Sequence, residues 1–261
     1  MALPAPSPDS TCLVTGASSG IGAEIARELA ARGLGVTLVA RREDRLRAMA
    51  AELPAATWVA VDLVAEDAPA RVRAHLEAEH GGRLDLLVNN AGGGWRGSFG
   101  EAGYANVRRT MELNFDAAVR LTEALLPLLR ASAPSAIVNV ASVAGRVGRA
   151  NAGAYSASKF ALVGWSESLA LEEAAHGVHV GIVLPGFVRT EGFPGTGVPK
   201  PLLSRPDKVA QAITRAGLRR KFEVYVPRYW AVVPRLRFLA PGLVRRVTRS
   251  SAVAPPTRGD R

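Results

Sequence analysis

Short runs that are apolar at nearly every position alternate along the chain with stretches whose apolar residues recur at helical spacing. The runs at 12–15, 36–40, 58–61, 84–89, 136–140, 178–184 and 224–226 are rich in Val, Leu and Ile, and each has the length of a strand. Strands apolar on both faces need cover on both, which predicts a parallel sheet and not a half-solvated antiparallel one. The amphipathic stretches between them predict helices over 21–32, 42–52, 68–79, 107–130, 155–176 and 206–218. Gly33 and Gly35 allow the turn from the first helix into the second strand. Right-handed crossovers then make this an α/β chain with a doubly wound, seven-stranded sheet flanked by helices.

With 261 residues, 48% of them hydrophobic, the chain has material for one sizeable core. We expect one catalytic-sized domain over 11–227, after a proline-containing disordered lead-in at 1–10 and before a basic C-terminal extension at 228–261. Residues 191–204 hold three prolines and three glycines and read as a loop. No run approaches the roughly 18 apolar residues of a membrane-spanning helix. The first residues lack a basic segment followed by an apolar one, so no secretory signal is read there and a cytoplasmic protein is expected. Cys12 is the sole cysteine, which rules out an internal disulfide, and the four histidines have no paired spacing, so no metal site is predicted.

The net charge of +10 is concentrated at one end: residues 215–261 carry twelve Lys or Arg against Glu223 and Asp260. Within the tail, Leu236, Leu239, Leu243, Val244 and Val247 fall at near-helical spacing beside Arg235, Arg237, Arg245, Arg246 and Arg249. This pattern suits either a cap on the rest of the fold with solvated arginines or a peripheral contact with anionic lipid. Pro234 and Pro241 predict two short helices there instead of one. The tail lacks an interleaved aromatic platform, so nucleic acid is not an expected partner.

Chemistry first enters at Thr15-Gly16-Ala17-Ser18-Ser19-Gly20-Ile21-Gly22, where the first strand meets the first helix. Glycines at these positions permit a tight turn and let backbone approach a diphosphate, while the helix N-terminus offers unsatisfied N–H groups. A loop of this composition also serves merely to turn a chain; its place between buried strand and amphipathic helix favours a dinucleotide. A site for NAD usually carries an acidic residue about 20 positions past the glycines, on the ribose 2′-hydroxyl. Here that place holds Arg41-Arg42, suited to a 2′-phosphate, which favours NADP(H) over a solvated pair beside an NAD site.

Tyr155 and Lys159 stand four residues apart, on one helix face. A phenol titrates near pH 10, too high for proton exchange at neutrality, and a neighbouring cation lowers that value. Such pairs also arise by chance on exposed helices. Ser142, however, follows the fifth strand at the sheet's carboxyl edge, where ligands bind in such folds. It is placed either to bond a substrate oxygen or simply to cap a turn.

With these residues in view the chain resembles the short-chain dehydrogenase/reductase family, in its form of about 250 residues. The matching segments are Thr15–Gly22, Asp62-Leu63, Asn89-Asn90-Ala91-Gly92, Asn114, Ser142, Tyr155-x-x-x-Lys159 and Pro185-Gly186, in the family's order. The resemblance implies a Rossmann-type domain, Tyr155 as general acid/base and Ser142 as orienter of a substrate carbonyl. It implies that Lys159 lowers the Tyr155 pKa and holds the nicotinamide ribose, with Asn114 holding a relay water. Gly16, Ser18, Ser19, Gly20, Ile21 and Gly22 would cradle the dinucleotide, Asp62 and Leu63 would line the adenine site, and Asn90, Ala91 and Gly92 would pass along the ribose. Pro185 and Gly186 would precede Val188 and Thr190 at the nicotinamide, under a lid over about 190–205. A homodimer or homotetramer built on the long helices is also implied.

Trp95, Phe99, Val143, Phe187 and Phe193 fall near the expected pocket, which suggests a small-to-medium apolar carbonyl or alcohol as substrate. The family often places a basic residue inside the glycine loop, whereas this chain has Ser18-Ser19, leaving a 2′-phosphate to Arg41 and Arg42. A non-catalytic NADP-sensing or lipid-associated protein on the same scaffold is the competing reading. The joint presence of Ser142, Tyr155 and Lys159 argues against it, because a sensor has no use for the acid.

Overall fold

The strands that are buried along their whole length lie inside the sheet. In the computed structural model, which describes residues 10–246 apart from 96, 194, 196, 243 and 245, seven parallel strands pair in one sheet. They are β1 (Thr11–Thr15), β2 (Gly35–Ala40), β3 (Ala56–Ala60), β4 (Leu86–Asn89), β5 (Ser135–Val140), β6 (Val178–Pro185) and β7 (Glu223–Val226). Their order across the sheet is β3-β2-β1-β4-β5-β6-β7. Every residue of β1, β2, β4 and β5 is buried, while the edge strands β3 and β7 are mostly half-buried. The chain reverses its direction of travel between β1 and β4, and a cleft opens beyond the carboxyl ends of strands at such a point.

One face is covered by α1 (Gly20–Ala30), α2 (Glu43–Glu52) and α7 (Pro206–Leu218), through Ile25, Leu29, Leu46, Met49, Val209 and Ile213. The other carries α3 (Ala68–His80), α5 (Ala117–Ala131) and α6 (Gly153–Glu173), through Val72, Leu76, Leu121, Leu125, Leu129 and Leu169. On α6, Leu162 and Leu169 are buried within the protomer. Cys12 is buried in β1, and burial raises its thiol pKa. Among the described residues no helix is long and apolar enough to cross a membrane.

Two helices differ from expectation. The helix expected over 107–130 starts earlier, as α4 (Phe99–Met111), which opens with a turn where the Glu101 carboxylate accepts bonds from the N–H and hydroxyl of Ser98 and is kinked at Gly103, whose φ of 60° and ψ of −170° are non-helical. It then passes through a π-helical turn, Glu112–Asp116, before α5. A π turn inserts an extra residue and re-aims side chains, and this one contains Asn114.

In the C-terminal segment, Pro234 does not interrupt a helix: it lies in the first turn of α8 (Val232–Leu239), where its missing N–H has no intrahelical partner to lose. The break comes at Ala240, whose φ of −141° and ψ of 64° are non-helical. Phe238 and Leu239 are largely exposed at the end of α8. Residues 1–9 of the lead-in expected at 1–10, and Leu243, Arg245, Val247 and Arg249 of the amphipathic segment, lie outside the described residues, while Ser10 is buried against the fold.

Candidate active site

The ends of β1 and β4 are fastened together by side chains. Thr15 Oγ1 accepts the N–H groups of Asn90 and Ala91, both at 2.9 Å, and Asn90 Nδ2 donates to the Thr15 carbonyl at 2.8 Å. Gly16 and Gly20 then take φ values of 66° and 57°, a left-handed backbone that glycine adopts without steric cost. A β-carbon at Gly22 would lie 2.2 Å from the carbonyl oxygen of Gly16, so the first turn of α1 fits against the loop only as glycine. Ser19, at the N-cap of α1, makes no side-chain capping bond, and the first turn has no acidic residue. Among the described residues the N-terminal N–H groups of α1 therefore have neither a capping side chain nor a first-turn carboxylate, which suits a diphosphate. Ile21 turns inward and packs on the core.

Gly22→Ala is expected to cost about 1–3 kcal/mol through overpacking and to abolish retention on an immobilised adenine dinucleotide. Wild-type melting together with wild-type retention would show that the loop accommodates a methyl group.

The paired arginines after β2 separate in the fold. Arg42 donates from Nε and a terminal nitrogen to Ser18 Oγ at 3.2 and 3.0 Å, and from that nitrogen to Ser19 Oγ at 2.6 Å. Arg41 is largely exposed and stands 3.9 Å from the Asp62 carboxylate. Asp62 accepts the Val64 N–H, and Leu63 is buried in the core. Of the two, Arg42 is thus the one joined to the glycine loop.

On α6, Lys159 is buried, with Nζ donating to the Val140 carbonyl at 2.9 Å and lying 5.9 Å from the centre of the Tyr155 ring. Burial lowers its pKa to about 8. Tyr155 is half-buried, its ring so close to Gly94 that a β-carbon there would approach it to 3.3 Å. Asn114 Oδ1 accepts the Gly93 N–H at 2.8 Å, and its Nδ2 donates to the Gly93 carbonyl and to Ser158 Oγ at 2.9 and 3.0 Å. Ser158 in turn donates to the Tyr155 carbonyl at 2.8 Å. A β-carbon at Gly92 would lie 3.0 Å from Asn114 Oδ1 and 3.4 Å from Lys159 Nζ, so the glycine backbone passes between the two.

Ser142 takes the capping role: its Oγ accepts the Ala144 N–H at 3.1 Å and donates to the Pro185 carbonyl over a longer 3.3 Å. That bond joins the ends of β5 and β6. Beyond it, Val188 is buried and Thr190 comes back to the glycine loop, where a β-carbon at Gly20 would lie 3.2 Å from its methyl group.

Trp230, not singled out by its sequence context, lies directly on Gly186, where a β-carbon would come within 2.1 Å of the indole nitrogen. It meets the Phe187 ring edge-on, and Phe187 stacks on Phe193. Trp95 is covered instead by the Arg109 guanidinium, 4.8 Å above it, and Phe99 is exposed at the start of α4. Thr15, Ser158 and the Val140 carbonyl also hold the site together. Thr15 and Ser158 fall inside recognised motifs, and only their partners were hidden.

Comparison with known proteins agrees with this architecture. Residues 10–196 match the family of short chain dehydrogenases. The chain is 34% identical to the ketoacyl reductase HetN of Nostoc sp., over 83% of this chain and 78% of that protein. It is 37% identical to cis-4-hydroxycyclohexanecarboxylate dehydrogenase of Sinomonas cyclohexanicum, over 77% and 86%. It is 39% identical to the granaticin polyketide synthase putative ketoacyl reductase 1 of Streptomyces violaceoruber, over 68% and 67%. With the sheet order, the glycine turn and the motif series all in place, the chain belongs to the short-chain dehydrogenase/reductase family, oxidoreductases that use a nicotinamide cofactor.

Proposed function

We propose that this chain is an NADP(H)-preferring oxidoreductase that interconverts a ketone or aldehyde with its alcohol on a small-to-medium apolar substrate. Tyr155 is its general acid/base. The observation that carries this reading is a buried ammonium, Lys159, beside the Tyr155 ring at the carboxyl edge of the sheet. A bound nicotinamide supplies or accepts the hydride.

In the reductive direction Tyr155 gives its proton to the carbonyl oxygen, and Lys159 stabilises the phenolate left behind. Ser142 supplies a second donor to that oxygen. Its proton swings away from the long bond to Pro185, while the Ala144 N–H keeps the oxygen in place. Preorganised donors of this kind are worth on the order of 3 kcal/mol each. Asn114 fastens the Gly92–Gly93 backbone beside Lys159.

The preference for a 2′-phosphate rests on Arg42. Together with Ser18 and Ser19 it gathers a guanidinium and two hydroxyls at the loop's edge, and the position next to it, at the end of β2, is Arg41 instead of a carboxylate. Arg41→Asp/Arg42→Asp should weaken NADPH on the order of 100-fold, the value of one or two charged hydrogen bonds, with NADH changed only a fewfold. An unaltered cofactor ratio would refute the preference. NADPH oxidation screened across cyclic and acyl ketones tests the reaction class, and the relatives' names, ketoacyl reductase and hydroxycyclohexanecarboxylate dehydrogenase, set the first compounds to try.

A further inference from the structure

The donors gathered around Arg42 already face an anion of the chain's own. Glu191 follows Thr190, at the start of the segment that leaves the sheet edge and returns to pair Phe187–Val188 with Leu203–Ser204. Its carboxylate accepts two bonds from Arg45, at 2.6 and 3.1 Å, and one of its oxygens stands 3.5 Å from a terminal nitrogen of Arg42. The position is fixed from both sides: Thr190 and Phe193 exchange backbone hydrogen bonds at 2.9 and 3.1 Å, and Thr190 abuts Gly20. The bond from Arg45 keeps the Glu191 carboxyl below its ordinary pKa, so it is anionic at neutral pH.

We propose that Glu191 is a cofactor-discriminating residue: its carboxylate occupies the anion position between Arg42 and Arg45, and a ribose 2′-phosphate must displace it to bind. The inference rests on the NADP(H) reading above and deepens it. A carboxylate and a phosphate monoester present similar oxygens to a guanidinium, and both are met by its fork of N–H donors. All three side chains are substantially exposed, and exposed ion pairs are weak, so a dianion on the same donors can replace the carboxylate. Because Glu191 adjoins Thr190, displacement acts at the root of the 190–205 segment, and the 2′-phosphate is thereby linked to the position of that segment. A ligand without the phosphate leaves the Glu191 contacts intact.

The test is calorimetric binding of 2′,5′-ADP and of 5′-AMP to the full chain, which needs neither substrate nor turnover. Glu191→Gln is expected to tighten 2′,5′-ADP about fivefold, the release of its two weak exposed ion pairs, and to leave 5′-AMP unchanged. Glu24→Gln removes the same charge from the neighbouring α1 surface, where Glu24 pairs with Arg27 at 2.8 Å, and should move neither affinity more than about twofold, the residue of a screened interaction. Unchanged 2′,5′-ADP affinity in Glu191→Gln overturns the proposal. So does weaker binding, which would make Glu191 a positioner of Arg45, and so does equal tightening in Glu24→Gln, which would make the effect one of general field. Arg42→Ala separates the two levels: if the wild type binds 2′,5′-ADP no better than 5′-AMP and Arg42→Ala changes neither, the NADP(H) preference itself has failed.

Discussion

Tyr155→Phe is expected to lose turnover on the order of 10³-fold, the usual worth of a positioned acid/base, while binding NADPH as the wild type does. The substitution removes one oxygen and leaves the rest of the residue where it is. The ring remains packed against Gly94 and beside the Lys159 ammonium, and the Tyr155 carbonyl still accepts the Ser158 hydroxyl. Lys159 keeps its bond to Val140, and Asn114 keeps Gly93. Nothing that shapes the glycine loop is touched, since the Thr15–Asn90 fastening and the Arg42–Ser18 contact do not use the Tyr155 hydroxyl. The measurements are NADPH oxidation with any carbonyl found active and NADPH binding by fluorescence. A Phe variant within tenfold of wild-type turnover would remove Tyr155 from the chemistry. A variant that lost NADPH binding as well would make the hydroxyl a structural element first.

The parts of this site that were legible in the sequence are those set by local geometry. A four-residue spacing places Tyr155 and Lys159 on one helical face whatever the helix packs against. Runs apolar on both faces require cover on both sides, which was enough to order strands and helices into a doubly wound sheet. The glycines at 16, 20 and 22 announce a turn too tight for side chains, and the 2.2 Å approach at Gly22 supplies the reason.

What stayed hidden depends on contacts between segments far apart in the chain. Arg41 and Arg42 are equivalent as text. They differ because the N-cap position of α2 points Arg42 across to Ser18 and Ser19, twenty-four and twenty-three residues earlier. Asn114 reaches Gly93 through a π turn, and no pattern of apolar residues reveals one extra residue inserted into a helix. The same limit explains Trp230: its indole fits on Gly186 because residue 186 has no side chain, a complementarity of two positions with no shared motif. The two prolines of the C-terminal segment act differently: Pro234 sits in a first turn, where it costs little, whereas the helix does break at Ala240, immediately before Pro241.

Lys159 also sets stability against function. Its ammonium is buried, and burial has moved its pKa from 10.5 to about 8. At about 1.4 kcal/mol for each tenfold change in proton affinity, the charge costs the fold about 3 kcal/mol at neutral pH. Lys159→Met fills a similar volume without the charge but deprives the Val140 carbonyl of its donor, an unsatisfied acceptor costing about 1–3 kcal/mol. A net gain of about 1 kcal/mol is expected at pH 7, a rise of about 2–4 °C in melting temperature, together with loss of turnover on the order of 10³-fold.

The pH dependence identifies the cause. Between about 8 and 10.5 the folded wild type has released this proton and the unfolded chain still holds it. The unfolded state binds more protons there, so wild-type stability rises with pH across that window and the penalty is fully present below it. The Met variant has no such group, and the groups remote from residue 159 titrate alike in both chains. Its advantage in melting temperature should therefore shrink from pH 7 to pH 10 and change sign near the upper end, where only the lost bond to Val140 remains. A difference between the two proteins that is constant from pH 7 to pH 10 would mean that Lys159 is not held under a burial penalty. The ammonium beside Tyr155 would then be an ordinary solvated one, with little power to acidify a phenol.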